Sequence, residues 1–304
     1  MQKIILIAGP TGSGKSELAL RLAKKINGEI INTDSMQVYK EIKILSARPE
    51  SYFNISHYLY GNISVKSKFS AGDWLKKVKL NLKKILNKKK QPIFVGGTGL
   101  YFKLLTEGIS NIPKIPDSIR TKARNLNAKL GNDKFYSLLI KLDPLVQNKI
   151  KENDTHRLIR AYEVMIYTKK SLTDWQKKNK NYFSNYRFVK IYINPKNNFL
   201  QKLLRLRLKK MFEIGAVDEV KKFLKLKINS SLPANKILGI EEIKKYLDKK
   251  ILLEQAFEET FIRTRRYVKR QRTWFRGHMK DWTSIFNPNF DILTKKILNL
   301  VTSS

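Results

Sequence analysis

Ile4 to Ala8 is an unbroken apolar run rich in β-branched residues and closed by Gly9-Pro10, the pattern of a strand buried on both faces of a parallel sheet. The period then lengthens. From Glu17 to Ile26 the apolar positions Leu18, Leu22 and Ile26 share one helical face. Glu29 to Thr33 repeats the strand pattern and stops at Asp34-Ser35. A helix is predicted from about Ala71 to Leu86, and after a lysine run Pro92 to Val95 forms a further strand ending at Gly96-Gly97. Strands alternating with helices predict an α/β fold, a parallel sheet flanked by helices, with its ligand site at the C-terminal ends of the strands.

The pattern changes after Gly108. Ile112 to Asp117 carries two prolines in a short linker, and the chain is then helical, lysine-rich and poor in strand signal to about Asn181. Phe188 to Ile193 returns to a strand, and long helices follow. The predicted organisation is a core of residues 1–111 and 188–304 interrupted by a helical insertion domain, 112–187. Near the C-terminus Phe261, Val268 and Phe275 recur every seven residues, so one face of that helix packs inward.

Charge changes the picture of partners. Lys and Arg number 62 against 25 Asp and Glu, a net charge of +37. Such a surface attracts polyanions: nucleic acid, anionic membrane or phosphorylated substrates. Lysine greatly outnumbers arginine, and Ile and Asn are abundant, so compositional bias competes with function as the source of the excess. The absence of cysteine excludes disulfides and thiolate metal centres, and three histidines make a His-built metal site unexpected. No apolar run approaches the ~18 residues that span a bilayer, and the first strand leaves no room for a signal peptide. A soluble, cytoplasmic protein without a membrane partner is expected.

Gly9 to Ser16 reads GPTGSGKS, a complete G-x-x-x-x-G-K-[ST] phosphate loop between a strand and a helix. Glycines let backbone amides converge on phosphate oxygens, Lys15 adds a positive charge, and the Ser16 hydroxyl can ligate Mg²⁺. The diphosphate or nucleotide-type site is therefore Gly9, Pro10, Thr11, Gly12, Ser13, Gly14, Lys15 and Ser16. Asp34 follows the next strand and falls beside this loop. It suits a general base for an attacking amine, a Mg²⁺-associated carboxylate or a plain helix N-cap. Thr98, in Val95-Gly96-Gly97-Thr98-Gly99-Leu100-Tyr101, offers a small donor to a leaving oxygen, although Gly-Gly also makes a ligand-free turn. Arg263, Arg265, Arg266, Arg270, Arg272 and Arg276 crowd one helix of a chain that otherwise prefers lysine. Arginine grips phosphate bidentately where lysine cannot. A solvated charged face is the alternative.

GPTGSGKS, DSMQVY, VGGTGLYF, NDTHRLIRAYEV and KRQRTWFR, in this order and spacing, closely resemble the bacterial tRNA dimethylallyltransferase (tRNA isopentenyltransferase) family from about Ile4 to Gly277. The resemblance implies a P-loop prenyltransferase. It would move a dimethylallyl group from dimethylallyl diphosphate to the exocyclic amine of adenosine at position 37 of tRNA, with Mg²⁺ as cofactor, acting as a monomer. Carried over by motif, Asp34 deprotonates the amine and Thr98 contacts the reacting end, while Lys15 and Ser16 hold the diphosphate with Mg²⁺. Contacts to the anticodon stem-loop would fall on Asp34, Ser35, Met36, Gln37, Thr98 and Arg120, on His156, Arg157, Leu158, Ile159 and Arg160, and on Lys236, Ile237, Leu238, Gly239, Ile240 and Glu241. The chain departs from the family pattern at Leu45-Ser46, at Ile240 and at Leu203. A P-loop kinase or ATPase and a non-catalytic nucleic-acid-binding protein are the rival classes.

Overall fold

The computed structural model describes residues 2–49 and 55–303. In chain order the first elements are β1 (Gln2–Ala8), α1 (Lys15–Lys25), β2 (Gly28–Asn32), β3 (His57–Tyr58), α2 (Ala71–Asn87), β4 (Gln91–Gly96) and α3 (Gly99–Thr106). β5 (Ile109–Ser110), α4 (Asp117–Leu142), α5 (Thr155–Thr168), α6 (Leu172–Lys177) and β6 (Asn179–Lys180) follow. The chain ends with β7 (Tyr186–Ile193), α7 (Asn197–Glu213), α8 (Ala216–Lys225), α9 (Ile240–Leu247), α10 (Leu253–His278), β8 (Thr283–Ile285) and α11 (Phe290–Ser303).

Among the described residues, six strands form one sheet in the order β3-β2-β4-β1-β7-β8, and every pairing is parallel. β1 lies at the centre, with Ile5 opposite Ile93 on one side and Val189 on the other. Its apolar run is buried because helices cover both faces. On one face Ile5 and Ile7 pack with Leu18 and Leu22 of α1 and with Leu293 and Ile297 of α11. On the other, Phe102 meets Phe275 and Trp282, and buried Trp74 stacks on Tyr101 with ring centres 4.1 Å apart. Truncating such an aromatic to alanine typically costs ~3–5 kcal/mol.

The expected strands and helices of the core are present, with ends shifted by a residue or two. α2 starts where Ser70 and Asp73 cap each other: the Asp73 N–H donates to Ser70 Oγ at 3.2 Å and the Ser70 N–H to Asp73 Oδ2 at 3.1 Å. β3 and β8, of two and three residues, are edge strands that no periodicity announces. In α10, Phe261, Val268 and Phe275 all point inward at no more than 6% exposure, as the seven-residue spacing requires.

The chain divides into two compact units, Met1–Lys103 with Ser184–Ser304, and Leu104–Phe183. The sequence places the divide later, at 111/112 and 187/188. The difference arises because Ile109 and Ser110 pair antiparallel with Lys180 and Asn179, which ties the linker to the second unit before the prolines. That unit is otherwise helical, with Phe135, Leu139, Val146, Leu158 and Ala161 at its centre. Its long helix α4 is broken at Gly131, where φ is 74°. Among the described residues no helix is long and apolar enough to cross a membrane.

Candidate active site

Three strands that neighbour one another, β2, β4 and β1, end in the three loops that carry the expected chemistry. Backbone bonds stitch those loops together: Gly9 N–H to Gly96 O at 3.3 Å, Thr33 N–H to Val95 O at 2.8 Å, and Thr98 N–H to Thr33 O at 3.1 Å. Gly96 allows this approach, since a Cβ there would fall 2.1 Å from the Thr33 carbonyl. Parallel pairing thus converts three separated motifs into one cluster.

The Gly9–Ser16 loop leads from β1 into α1, with Gly14 in the left-handed region at φ 81°. Lys15 is 8% exposed, and its Nζ donates to Pro10 O at 3.2 Å. Burial pushes this ammonium down to about 8; the Asp34 carboxylate opposes the shift and the Arg207 guanidinium reinforces it. The Ser13 hydroxyl is buried and makes no hydrogen bond among the described residues. An unpaired buried hydroxyl beside converging amides suits a ligand oxygen.

Asp34 is followed by turns and not by a helix, which removes the N-cap reading. Its Oδ1 accepts the Met36 N–H at 2.9 Å, and its own N–H donates to Asn32 Oδ1 at 2.8 Å. A Cβ added at Gly97 would lie 3.4 Å from Oδ2. Thr98 Oγ1 accepts the Ser35 N–H at 2.9 Å and donates to Ser35 Oγ at 3.2 Å, so the two loops share a hydroxyl pair. The Asp34 charge is felt by Lys15 and Arg207, and also by Tyr60, Tyr101 and Tyr267. Burial first, and then that charge, raises all three phenols well above their ordinary value, so they stay neutral donors.

Asp34 and Arg207 line one pocket with Thr11, Met36 and Tyr267, and its remaining wall includes Leu204, Leu208, Met211, Ile237 and Leu238. Charge gathers beside an apolar wall. The pattern reading missed Arg207, whose signal lay in α7: Leu200, Leu204, Leu208 and Met211 are the buried positions, and Arg207 sits one turn from Leu204 on that side. Burial pushes the Arg207 guanidinium down, while Asp34 pulls it back.

The other expected contacts separate by burial. Lys236 is exposed and Leu238 lines the pocket, but Ile240 is 4% exposed and belongs to the core packed around α7 to α10. Its side chain is a packing group. So is Leu158, which is fully buried in the second unit. Gln37 is spent internally, its Nε2 donating to Ser46 O at 3.1 Å and Ala47 O at 2.9 Å. Glu241 pairs with Arg263 at 2.7 Å. Within the second unit His156 and Arg157 are exposed, and Arg160 lies close enough to Arg120 to feel its charge. Arg120 Nε is buried and makes no hydrogen bond among the described residues. Arg265, Arg266, Arg270 and Arg276 are exposed on α10.

Among the described residues no group of three or more His, Asp or Glu could hold a metal ion. The hydroxyl of Ser16, in the first turn of α1, fits Mg²⁺ of the phosphate-loop kind, in which substrate oxygens and water supply most ligands.

The model of the IPP transferase family matches residues 37–278. A tRNA dimethylallyltransferase from Pelagibacter ubique is 48% identical over 97% of this chain and 95% of its own length. A solved full-length tRNA isopentenylpyrophosphate transferase from Bacillus halodurans superimposes with a TM-score of 0.72 at 28% identity, covering 100% of this chain and 96% of that one. A eukaryotic dimethylallyltransferase acting on tRNA gives a TM-score of 0.76 at 28% identity over 90% of this chain and 70% of that one. With the phosphate loop, Asp34 and Thr98 gathered at the ends of adjacent strands, and with relatives this similar over nearly the whole length, the chain belongs to the IPP transferase family.

Proposed function

We propose that this protein transfers a dimethylallyl group from dimethylallyl diphosphate to the exocyclic amine of adenosine 37 in the tRNA anticodon loop. The observation that carries the reading is that the Asp34 carboxylate and the Arg207 guanidinium line one pocket with Thr11 of the phosphate loop, whose Lys15 is buried. A new C–N bond forms between the amine and the first carbon of the prenyl group as that carbon's bond to the diphosphate oxygen breaks. The amine proton passes to Asp34, and the negative charge passes to the leaving diphosphate. Lys15, Arg207 and the amides at the α1 end of the Gly9–Ser16 loop stabilise that charge as it develops. Mg²⁺, held through Ser16 and the diphosphate, would supply Lewis-acid neutralisation. Thr98 stands next to the base, where it orients the reacting end.

The acceptor must leave the stacked loop to reach Asp34, since the base sits in a pocket. The exposed side chains of Lys236, His156, Arg157 and the α10 arginines are the contacts we assign to tRNA phosphates. In this reading the protein works as a monomer in the cytoplasm, where its proposed tRNA substrate resides.

The test is incubation with labelled dimethylallyl diphosphate, Mg²⁺ and bulk tRNA, followed by digestion to nucleosides. Label on adenosine is the expected result. Label on AMP in preference to tRNA, or ATP turnover without tRNA, would replace this reading.

A further inference from the structure

Gln271 is 6% exposed on the inward face of α10. Its Oε1 accepts the Thr11 N–H at 3.0 Å, and its Nε2 donates to Gly97 O at 2.9 Å. The two partners stand on different loops: Thr11 within Gly9–Ser16 after β1, and Gly97 immediately before Thr98 after β4. A primary amide carries a donor and an acceptor on one rigid plane, so it sets the spacing of the groups it joins. The approach is close enough that a Cβ at Gly97 would fall 2.4 Å from Nε2. By accepting from Thr11, Gln271 also takes that amide away from the diphosphate and fixes how the rest of the loop is presented.

We propose that Gln271 is a positioning residue, holding the loop that grips the leaving diphosphate at a set distance from the turn that carries Thr98. Through it, α10 aligns donor and acceptor without touching either. The inference rests on the roles proposed above for Thr98 and the phosphate loop.

Gln271→Met keeps length and bulk and removes both hydrogen bonds. Single-turnover transfer is measured at saturating donor and tRNA, with the amplitude, the tRNA affinity and a thermal melt recorded beside it. A displacement of about 1 Å at a reacting centre costs up to ~10²-fold, so the rate constant should fall ~10–100-fold at unchanged amplitude and unchanged tRNA affinity. A wild-type rate constant with reduced amplitude or melting temperature assigns the residue to packing and overturns the proposal. Should that variant not fold, Gln271→Glu keeps the acceptor for the Thr11 N–H, loses the donor to Gly97 O and must give the same signature. Thr98→Val separates the two layers of the argument. If Thr98→Val transfers normally, the role given to Thr98 fails; if it is slow while Gln271→Met is normal, the positioning role fails.

Discussion

Asp34→Asn isolates the proton acceptor, because the structure says what asparagine keeps and what it loses. Asn Oδ1 can still accept the Met36 N–H now held at 2.9 Å, and the bond from the residue 34 N–H to Asn32 Oδ1 is untouched. The loop should therefore hold its shape, and the melt should move by no more than the ~0.5 kcal/mol of an ordinary local substitution. The charge is lost. Lys15 and Arg207 then face each other without the carboxylate that opposes the downward shift of both. Donor diphosphate becomes their remaining counter-charge, so donor affinity should hold or tighten. The chemical step should slow by at least ~10²-fold, the lower end of general-base contributions. Single-turnover transfer under saturating donor and tRNA measures that step directly, at two Mg²⁺ concentrations. Near-normal transfer would refute Asp34 as the base. Recovery of the rate on raising Mg²⁺ would reassign the carboxylate to the metal.

Lys15→Ala should weaken donor use about ten- to a hundredfold, from the ~1.5–3 kcal/mol of a charge-assisted bond, and leave tRNA affinity alone; collapse of tRNA binding with intact donor kinetics would reverse that assignment. Because Lys15 is pushed down to about 8, the free enzyme loses this charge as pH rises through that value, whereas bound diphosphate keeps it protonated. kcat/KM for donor should therefore decline above pH 8 while kcat stays level, and Lys15→Arg should abolish the decline. The same lowering makes Lys15 contribute stability that grows between its folded value of about 8 and its ordinary 10.5. Arg207→Met should weaken donor use and move the Lys15 limb to higher pH, since Arg207 helps depress it; an unmoved limb would separate the two cations. Affinity for tRNA should fall steeply with KCl, as expected when phosphate neutralisation by a +37 chain releases counterions, and a flat titration would deny the charge that role.

The core was legible where burial is two-sided. Ile4 to Ala8 has no alternative to a central strand, and Phe261, Val268 and Phe275 leave α10 one way to face. His57–Tyr58 was not legible, since two residues have no period and pair only because β2 already stands there. Asp34 shows the limit for the site. Spacing brought it beside the phosphate loop yet left three roles open, and only the run of turns after it removes the cap. Arg207 was hidden by its own neighbours: in LLRLRLKK every cation reads as solvated until the depth of Leu204 and Leu208 shows which one turns inward. Leu158 and Ile240 sit inside the expected contact motifs, and only the structure shows that their side chains pack inward.

The central strand has a timing problem during synthesis. β1 finds β4 early, but its other neighbour β7 is made only after all of Leu104–Phe183. At ~5–20 residues per second, the ribosome leaves that edge of β1 open for on the order of ten seconds. An apolar strand with unpaired amides is a template for any other extended chain. The late-made segment therefore acts as a folding delay for the nascent protein, during which its own helices can form locally. Protease digestion of ribosome-arrested chains should show the N-terminal strand protected only once Tyr186–Ile193 has emerged, and protection of shorter chains would mean another segment shields β1 first.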